Sequence, residues 1–502
     1  VNAAQLIERL RADLEAAGYT VDGVTSVLGP VASAALGREQ VVPALRATDG
    51  SADPAAVLLR CLVLGGAVPR RALDVALPSL GTDGAVILGL VAASGAGDGD
   101  EVRALVELRP YAAEDAAGRA DWWVVSDLGE LTTRGPLRTD HVLGVGGAST
   151  MLAQCTIRTP VGRVLDVGTG CGVQALHAAR HAGHVTATDV SERALDLAAV
   201  NAALNRVVLD LRHGSLLEPV AGERYDLVVS NPPFVITPRR EGVPLYEYRD
   251  SGLAGDSVVE RLVRGAADVL APGGVAQFLG NWEHRSGEDW RERVGAWLDG
   301  TGLDAWVVQR EVQDPAEYAE LWIRDGGEGR GPGFDALYGA WLDDFAARGV
   351  EAVGLGLLTL RRPVSGAPTL RRLEEVGGPV RQPLGEHLAA ALAAHDWLAA
   401  RDDDALAQVR LRVAPDVTDE RHHVPGQPDP SVVLLRQGGG FGRVVRASSE
   451  LAGLVGACDG DLTVGQVLAG LAVLTDREVA EVRAALLPVV RELVADGLLL
   501  PG

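Results

Sequence analysis

Apolar residues recur with different periods in successive parts of this chain. Up to about residue 120 the period is helical. "AAQLIERLRADLEAAG" carries one apolar face and ends at a glycine, and "DPAAVLLRCLVLGG" and "PRRALDVALPSL" read as further short helices. "EVRALVELRPYAAE" and "ADWWVVSDLG" then read as a strand pair. Helices followed by a hairpin suggest either a winged-helix-like module or a plain helical cap on the next domain.

From about 141 to 363 short apolar runs alternate with amphipathic segments: "GRVLDVG", "VQALHAARHAG", "HVTATDV", "ERALDLAAVNAALN", "VVLDLRHG", "YDLVVSNP". Helices near 256–270 and 288–299 separate the later strands "GGVAQFLGNW", "AWVVQREV" and "AVGLGLLTLRR". This alternation predicts an α/β domain with a parallel, doubly wound sheet covered by helices on both faces. "QDPAEYAELWIRDGGEGRGPGF" and the helix after it read as an insertion before the last strand, and "RRPVSGAPTLRR" as a linker. Beyond it come a helix, "LGEHLAAALAAHDWLAA", an acidic helix end and a break at "VPGQPDP". Two strands around "QGGGFG" and three helices then suggest a small α+β module of winged-helix or adaptor type. The expected domains are 1–140, 141–365 and 366–502.

The length, 502 residues, agrees with several cores rather than one. With 47% hydrophobic and 23% charged residues the composition is that of a globular protein. The net charge of −22 argues against a surface built for nonspecific nucleic-acid binding, though it leaves room for a local basic patch. All 46 basic residues are arginine, which reads as base-composition bias. Cys61, Cys155, Cys171 and Cys458 form no C-x-x-C pair, so neither a zinc ribbon nor a disulfide framework is expected. The histidines show no ligand spacing, and no metal is expected. The first residues lack an apolar signal core and no uncharged stretch reaches spanning length. A cytoplasmic protein without a membrane partner is the expectation.

The chemistry concentrates in two places. In "VLDVGTGCG" a strand runs into Gly168, Thr169, Gly170 and Gly172 before a helix. Glycines permit positive φ and close approach of a ligand to the backbone. The spacing G-x-G-x-G departs from the dinucleotide G-x-G-x-x-G, and Asp166 precedes it. A carboxylate there repels a pyrophosphate but attracts an ammonium group, directly or through water. Asp189 ends the next strand, where it either accepts both hydroxyls of a ribose or caps the helix "SERALDLAAV". A ribose with an amino acid tail describes S-adenosylmethionine. The second place is "YDLVVSNPPFVITP", where an apolar strand runs into Asn231-Pro232-Pro233-Phe234. Two prolines remove two donors and fix two φ angles, so the corner is rigid.

In this order and spacing, "LDVGTGCG", "ATDVS" and "DLVVSNPPF" resemble the class I S-adenosylmethionine-dependent methyltransferases. Within them they resemble the branch with an N-P-P-[FY] catalytic loop. That branch includes DNA adenine-N6, ribosomal RNA guanine-N2 and adenine-N6, and release-factor glutamine methyltransferases. The resemblance covers 141–363. It implies a Rossmann-like, seven-stranded sheet and a cofactor, S-adenosylmethionine, held by Asp166, Gly168, Thr169, Gly170, Gly172, Asp189 and Val190, with Asn231 at its edge. It implies that Asn231, Pro232, Pro233 and Phe234 are catalytic. The Asn231 oxygen and the Pro232 carbonyl would accept the two N–H bonds of a planar amine or carboxamide, and Phe234 would offer a stacking face or else pack in the core. In "LRHGSLLEP" Ser215 stands where relatives often place an Asp against the adenine amine, so Ser215 or nearby backbone takes that contact. "HVLGVGGAST", 141–150, resembles the segment that closes the cofactor pocket; otherwise it is a glycine-rich linker. After the corner, Arg239 and Arg240 could meet phosphates and Tyr246 and Tyr248 could shape an acceptor pocket, or the whole stretch is a solvated loop. Asn201 and the pair Trp122-Trp123 read as structural.

The resulting reading is an N-methyltransferase acting on an exocyclic amine of a base in ribosomal or transfer RNA. The alternatives are a protein glutamine methyltransferase, a small-molecule or peptide methyltransferase, and a non-catalytic cofactor-binding module. A basic stripe running from Arg239 and Arg240 would favour RNA; an acidic funnel would favour protein.

Overall fold

The alternating apolar runs form one sheet at the centre of the first of two compact units. The computed structural model describes residues 2–133, 137–240, 243–327 and 331–502. One unit comprises the chain up to Ala153 with Pro160–Glu375, the other Gln154–Thr159 with Val376–Gly502. The sheet strands are β1 (Val161–Val167), β2 (Ala182–Asp189), β3 (Asp210–His213), β4 (Tyr225–Ser230), β5 (Leu270–Arg285), β6 (Asp304–Gln313), β7 (Val350–Arg361) and β8 (Arg371–Glu375). Their order is β8-β6-β7-β5-β4-β1-β2-β3. β1 and β4 lie next to each other and parallel, with Val167 opposite Ser230. Both are buried on both faces at Val164, Leu165, Leu227 and Val228, which is why they read as unbroken apolar runs.

The helices cover the faces: α1 (Val173–Ala178), α2 (Glu192–Leu204), α3 (Ser257–Val269) and α4 (Trp290–Leu298). In α3, Val258, Val259, Leu262, Val263, Ala266 and Val269 form one buried stripe, the pattern of a helix lying on a sheet. The inserted segment is a helical hairpin, α5 (Pro315–Asp325) and α6 (Pro332–Ala347).

The sheet departs from expectation twice. It is mixed rather than parallel, because β7 runs antiparallel to both β5 and β6. Two consecutive helices, α5 and α6, return the chain to the end of the sheet where β6 stops, so the next strand must run back. The sheet also has eight strands instead of seven. The end of the expected linker forms β8, parallel to β6. Asp304 accepts the Thr369 and Leu370 amides at 2.7 and 2.9 Å, and Trp306 Nε1 donates to Glu374 at 2.7 Å. These bonds tie a charged, apolar-poor segment to the sheet.

The N-terminal part of this unit is helix-rich, from Ala3–Ala16 through Gly81–Ile87, with a small three-stranded sheet and the hairpin Glu107–Asp115/Gly118–Ser126. Trp122 and Trp123 are buried, and Trp123 Nε1 donates to the Tyr19 carbonyl at 2.6 Å. Asn201 of α2 is fully buried. Its amide donates to the Val125 and Cys171 carbonyls at 2.9 and 2.8 Å, and its oxygen accepts the Val125 N–H at 2.7 Å. One side chain thus joins the hairpin to the glycine loop. The second unit is α+β, with long helices Gly385–Ala399, Val464–Thr475 and Val479–Ala495 and two three-stranded sheets. Among the described residues no helix is long and apolar enough to cross a membrane.

Asn201→Ala strands three buried backbone groups. It is expected to lower stability by about 3 kcal/mol in urea unfolding, whereas loss of well under 1 kcal/mol would mean that the bridge is dispensable.

Candidate active site

β1 hands over to the loop at Val167. Gly168, Gly170 and Gly172 follow with φ of 70°, 55° and 89°. A Cβ at Gly168 or Gly170 would meet nothing within 4 Å, so glycine is required there by backbone conformation, and the space in front is open. Asp166 lies beneath the loop with no exposed surface. Thr169 Oγ1 donates to its Oδ2 at 2.6 Å, while Oδ1 has no hydrogen-bond partner among the described residues. Burial pushes the Asp166 carboxyl up to about 7, the Thr169 hydroxyl opposing and Asp189 adding to the effect.

Asp189 ends β2 beside the loop. Its Oδ2 accepts the Gly170 amide at 2.8 Å and its Oδ1 the Ser191 amide at 2.9 Å. Ser191, not Asp189, caps α2 by accepting the Ala194 amide. Asp189 therefore fixes the loop geometry with one bond per oxygen and keeps lone pairs available.

β4 ends level with β1, and the Ser230 hydroxyl donates to the Val167 carbonyl at 2.7 Å. Beyond it Asn231, Pro232 and Pro233 join the glycine loop in lining a cavity of about 600 Å³. Asn231 Oδ1 is buried without a hydrogen-bond partner. Phe234 is not among the lining residues; it is half-buried and stands edge-on to Trp322, ring centroids 6.5 Å apart. Val190 and Ser215 line the cavity, whereas Asp166 lies behind it. The glycine-rich segment before β1 contributes His141, Leu143, Gly144 and Ser149, and Gln174 Nε2 fastens it by donating to the Ser149 carbonyl at 2.7 Å.

The far wall comes from the chain after the corner. Tyr246 and Tyr248 line it. Arg239 lies half-buried against Asp250 Oδ1 at 2.5 Å and the Leu253 carbonyl, and Arg240 pairs with Asp343 at 3.3 Å. The two arginines are thus engaged by the protein's own acidic and carbonyl groups. Asp189, Glu247 and Asp250 line the cavity against a single arginine, Arg261.

His141 was not legible from spacing. It is buried in the cavity wall, its Nδ1 3.9 Å from Asp127, and burial pulls its pKa down against that carboxylate. The α5–α6 hairpin also reaches this wall, a contact that no local pattern signals.

Residues 144–288 match the family model of the methyltransferase small domain, while 16–105 and 389–501 match two domains of unknown function. The chain is 34% identical over 177 residues to the ribosomal protein uL3 glutamine methyltransferase of Bradyrhizobium diazoefficiens, covering 33% of this chain and 54% of that protein. It is 34% identical over 197 residues to the release factor glutamine methyltransferase of Xylella fastidiosa, covering 37% and 69%. It is 33% identical over 122 residues to the ribosomal RNA small subunit methyltransferase C of Alcanivorax borkumensis, covering 24% and 33%. The chain spans about half the length of the first curated relatives it matches, 54% of the uL3 enzyme and 43% of a Deinococcus radiodurans release factor glutamine methyltransferase. A solved T. thermophilus 16S rRNA N2 methyltransferase aligns at 19% identity and a TM-score of 0.26, over 50% of this chain and 63% of that one.

The raised Asp166 value has a consequence for stability. Between its ordinary 3.8 and about 7 the folded protein holds a proton that the unfolded chain releases, so this group lowers stability as pH rises. Asp166→Asn is expected to gain up to about 4 kcal/mol on the parent protein between pH 4 and pH 8. A flat difference between the two in ligand-free denaturation across that range would remove the assignment.

Proposed function

The chain belongs to the class I S-adenosylmethionine-dependent methyltransferases, and from that premise we propose that it methylates the side-chain nitrogen of a glutamine in a protein. The carrying observation is Asn231, which lines the cavity and whose buried Oδ1 has no donor among the described residues. A buried unpaired carbonyl costs free energy until an N–H reaches it. A carboxamide brings two such groups, one for Asn231 Oδ1 and one for the Pro232 carbonyl.

The residues fit the cofactor. Open space stands before Gly168 and Gly170, and Asp166 keeps a partnerless oxygen beneath them. In this reading the loop and Asp166, through Thr169, take the amino acid end, Asp189 the ribose hydroxyls, and Val190 and Ser215 the adenine. Bound S-adenosylmethionine supplies a methyl group already activated on a sulfonium. Asn231 and Pro232 hold the acceptor nitrogen and turn its lone pair to that side, and the proline-fixed corner makes them preorganised. On transfer the nitrogen would gain its bond to the methyl carbon as the carbon–sulfur bond of the sulfonium broke to leave a neutral thioether, and the surplus proton would pass to water, so no strong base is needed. The place of Phe234 is behind this corner, as a packing residue that fixes its angle.

The alternative of an RNA base rests on the N-P-P-F form and on flanking domains that could hold RNA, and a basic stripe from Arg239 and Arg240 would favour it. Both arginines are engaged within the protein, and the carboxylates Asp189 and Glu247 on the cavity wall oppose a polyanion. The relatives named for glutamine methylation also support the protein acceptor over the base. We read the helix-rich N-terminal part and the α+β C-terminal unit as docking domains for that acceptor.

Asn231→Ala is expected to cut methyl transfer about 100-fold or more while cofactor Kd stays within about twofold. Asp189→Ala is expected to raise cofactor Kd about tenfold or more, and unchanged affinity would cancel its ribose role. With radiolabelled cofactor and extract from cells lacking the enzyme, label should be lost to protease, resist ribonuclease, and leave as methylamine on alkaline hydrolysis. Ribonuclease-sensitive label would replace this reading with the RNA one.

A further inference from the structure

The described parts of the chain that follows the corner, 234–240 and 243–250, are held by α5 and α6 as well as by the sheet. Val235 and Ile236 are buried in one cluster with Tyr318, Ile323, Trp341 and Phe345 of the hairpin. The Tyr318 hydroxyl accepts the Ile236 amide at 3.0 Å and the Asn281 amide group at 2.7 Å, which fixes the exit from the corner against both hairpin and β5. Val235 N–H donates to the Arg249 carbonyl at 2.9 Å, so the segment doubles back on itself.

The returning half is fastened at the hairpin's turn. The Tyr246 hydroxyl donates to the Gly326 carbonyl at 3.2 Å and the Tyr248 hydroxyl to Asp325 Oδ2 at 2.9 Å. Arg249 is buried behind them. Its guanidinium donates to Asp325 Oδ2 at 3.0 Å and to the Trp322 carbonyl at 2.6 Å, and lies 4.6 Å from the centroid of the Tyr246 ring. Both tyrosines line the cavity, yet both hydroxyls are spent on the hairpin. Each hydroxyl has thereby given its one proton to the hairpin, so neither has an O–H left to donate to an occupant.

We propose that the α5–α6 hairpin is the acceptor clamp of this enzyme and that Asp325 is its positioning residue. The clamp sets the distance between the tyrosine wall and the Asn231 corner, and so the thickness of the group admitted between them. With the tyrosine hydroxyl protons committed, the wall contributes shape and aromatic surface and no tyrosine donor. A thin, planar, uncharged group, such as the carboxamide of the proposed function on which this rests, suits that slot. Asp325 touches neither cofactor nor acceptor; it acts through Tyr248 and Arg249. Its side chain is 42% exposed, so its removal leaves no cavity.

Two readouts test the clamp in the full-length protein. Hydrogen exchange needs no acceptor. In Asp325→Ala the amides of 245–250 are expected to lose protection about tenfold while those of 225–230 keep theirs. Steady-state transfer then uses the acceptor in extract lacking the enzyme, titrated as total protein. Asp325→Ala is expected to raise its apparent KM about tenfold with cofactor Kd and melting temperature nearly unchanged, and Asp325→Asn, which still offers an oxygen to both donors, to restore most of the loss. Unchanged exchange and unchanged KM would overturn the clamp. A parallel fall in cofactor affinity and melting temperature would overturn it too, by making Asp325 merely structural. If the parent enzyme labels a ribonuclease-sensitive acceptor, the glutamine reading falls, and the exchange and the KM for that acceptor still decide the clamp.

Discussion

The Ser230 hydroxyl donates to the Val167 carbonyl across the last rung between β1 and β4. Two neighbouring parallel strands thereby stop at the same level, and the segments that leave them must diverge, since both cannot continue over one edge. The divergence opens the crevice at the carboxyl ends of the strands, the place where open α/β sheets take their ligands. One wall is the glycine loop, kept in left-handed turns by three glycines and pinned by Asp189. The other is the corner, kept straight by two prolines. Neither wall works alone: a displaced β4 would part the acceptor corner from the loop while leaving each intact.

Around that crevice the protein places polar groups that its own chain does not satisfy. Asp166 Oδ1 and Asn231 Oδ1 are both buried and partnerless, one behind the loop and one at the corner. Folded proteins seldom leave such atoms, because each costs free energy. Neighbouring side chains are tied into the frame: Asp189 accepts two amides, Arg239 pairs with Asp250 and a carbonyl, and Tyr246 and Tyr248 donate to the hairpin. The frame is held by paired groups, while Asp166 Oδ1 and Asn231 Oδ1 stay open beside the crevice.

The frame was largely legible in the sequence, because strands buried on both faces appear as solid apolar runs and α3 shows a clean stripe. The glycine spacing and the Asn-Pro-Pro corner were legible because few other residues can adopt those conformations. What was not legible depends on partners distant in sequence. β8 hid in a charged, proline-bearing stretch, since an edge strand needs little apolar surface when Asp304 and Trp306 hold it. The reversed direction of β7 follows from two helices being inserted where one would have kept it parallel. Arg239 and Arg240 looked free in the sequence, and only the fold brings Asp250 and Asp343 to them. For Tyr246 and Tyr248 the sequence left a pocket wall and a solvated loop both open, and the direction of their hydroxyls is set by Asp325 and Gly326, more than seventy positions later.

The two borders of the sheet share a property. β8 offers Arg371, Arg372, Glu374 and Glu375, and β3 at the opposite border is four residues long with Asp210, Arg212 and His213. An open sheet of eight strands exposes a row of unpaired amides and carbonyls at each side, a ready template for another chain. Short borders crowded with both signs of charge make such templating costly, because an added strand would have to strip water from those side chains. A chain poor in aromatic residues and rich in alanine and valine can thus carry a broad, largely apolar sheet at high concentration without its copies zipping together edge to edge.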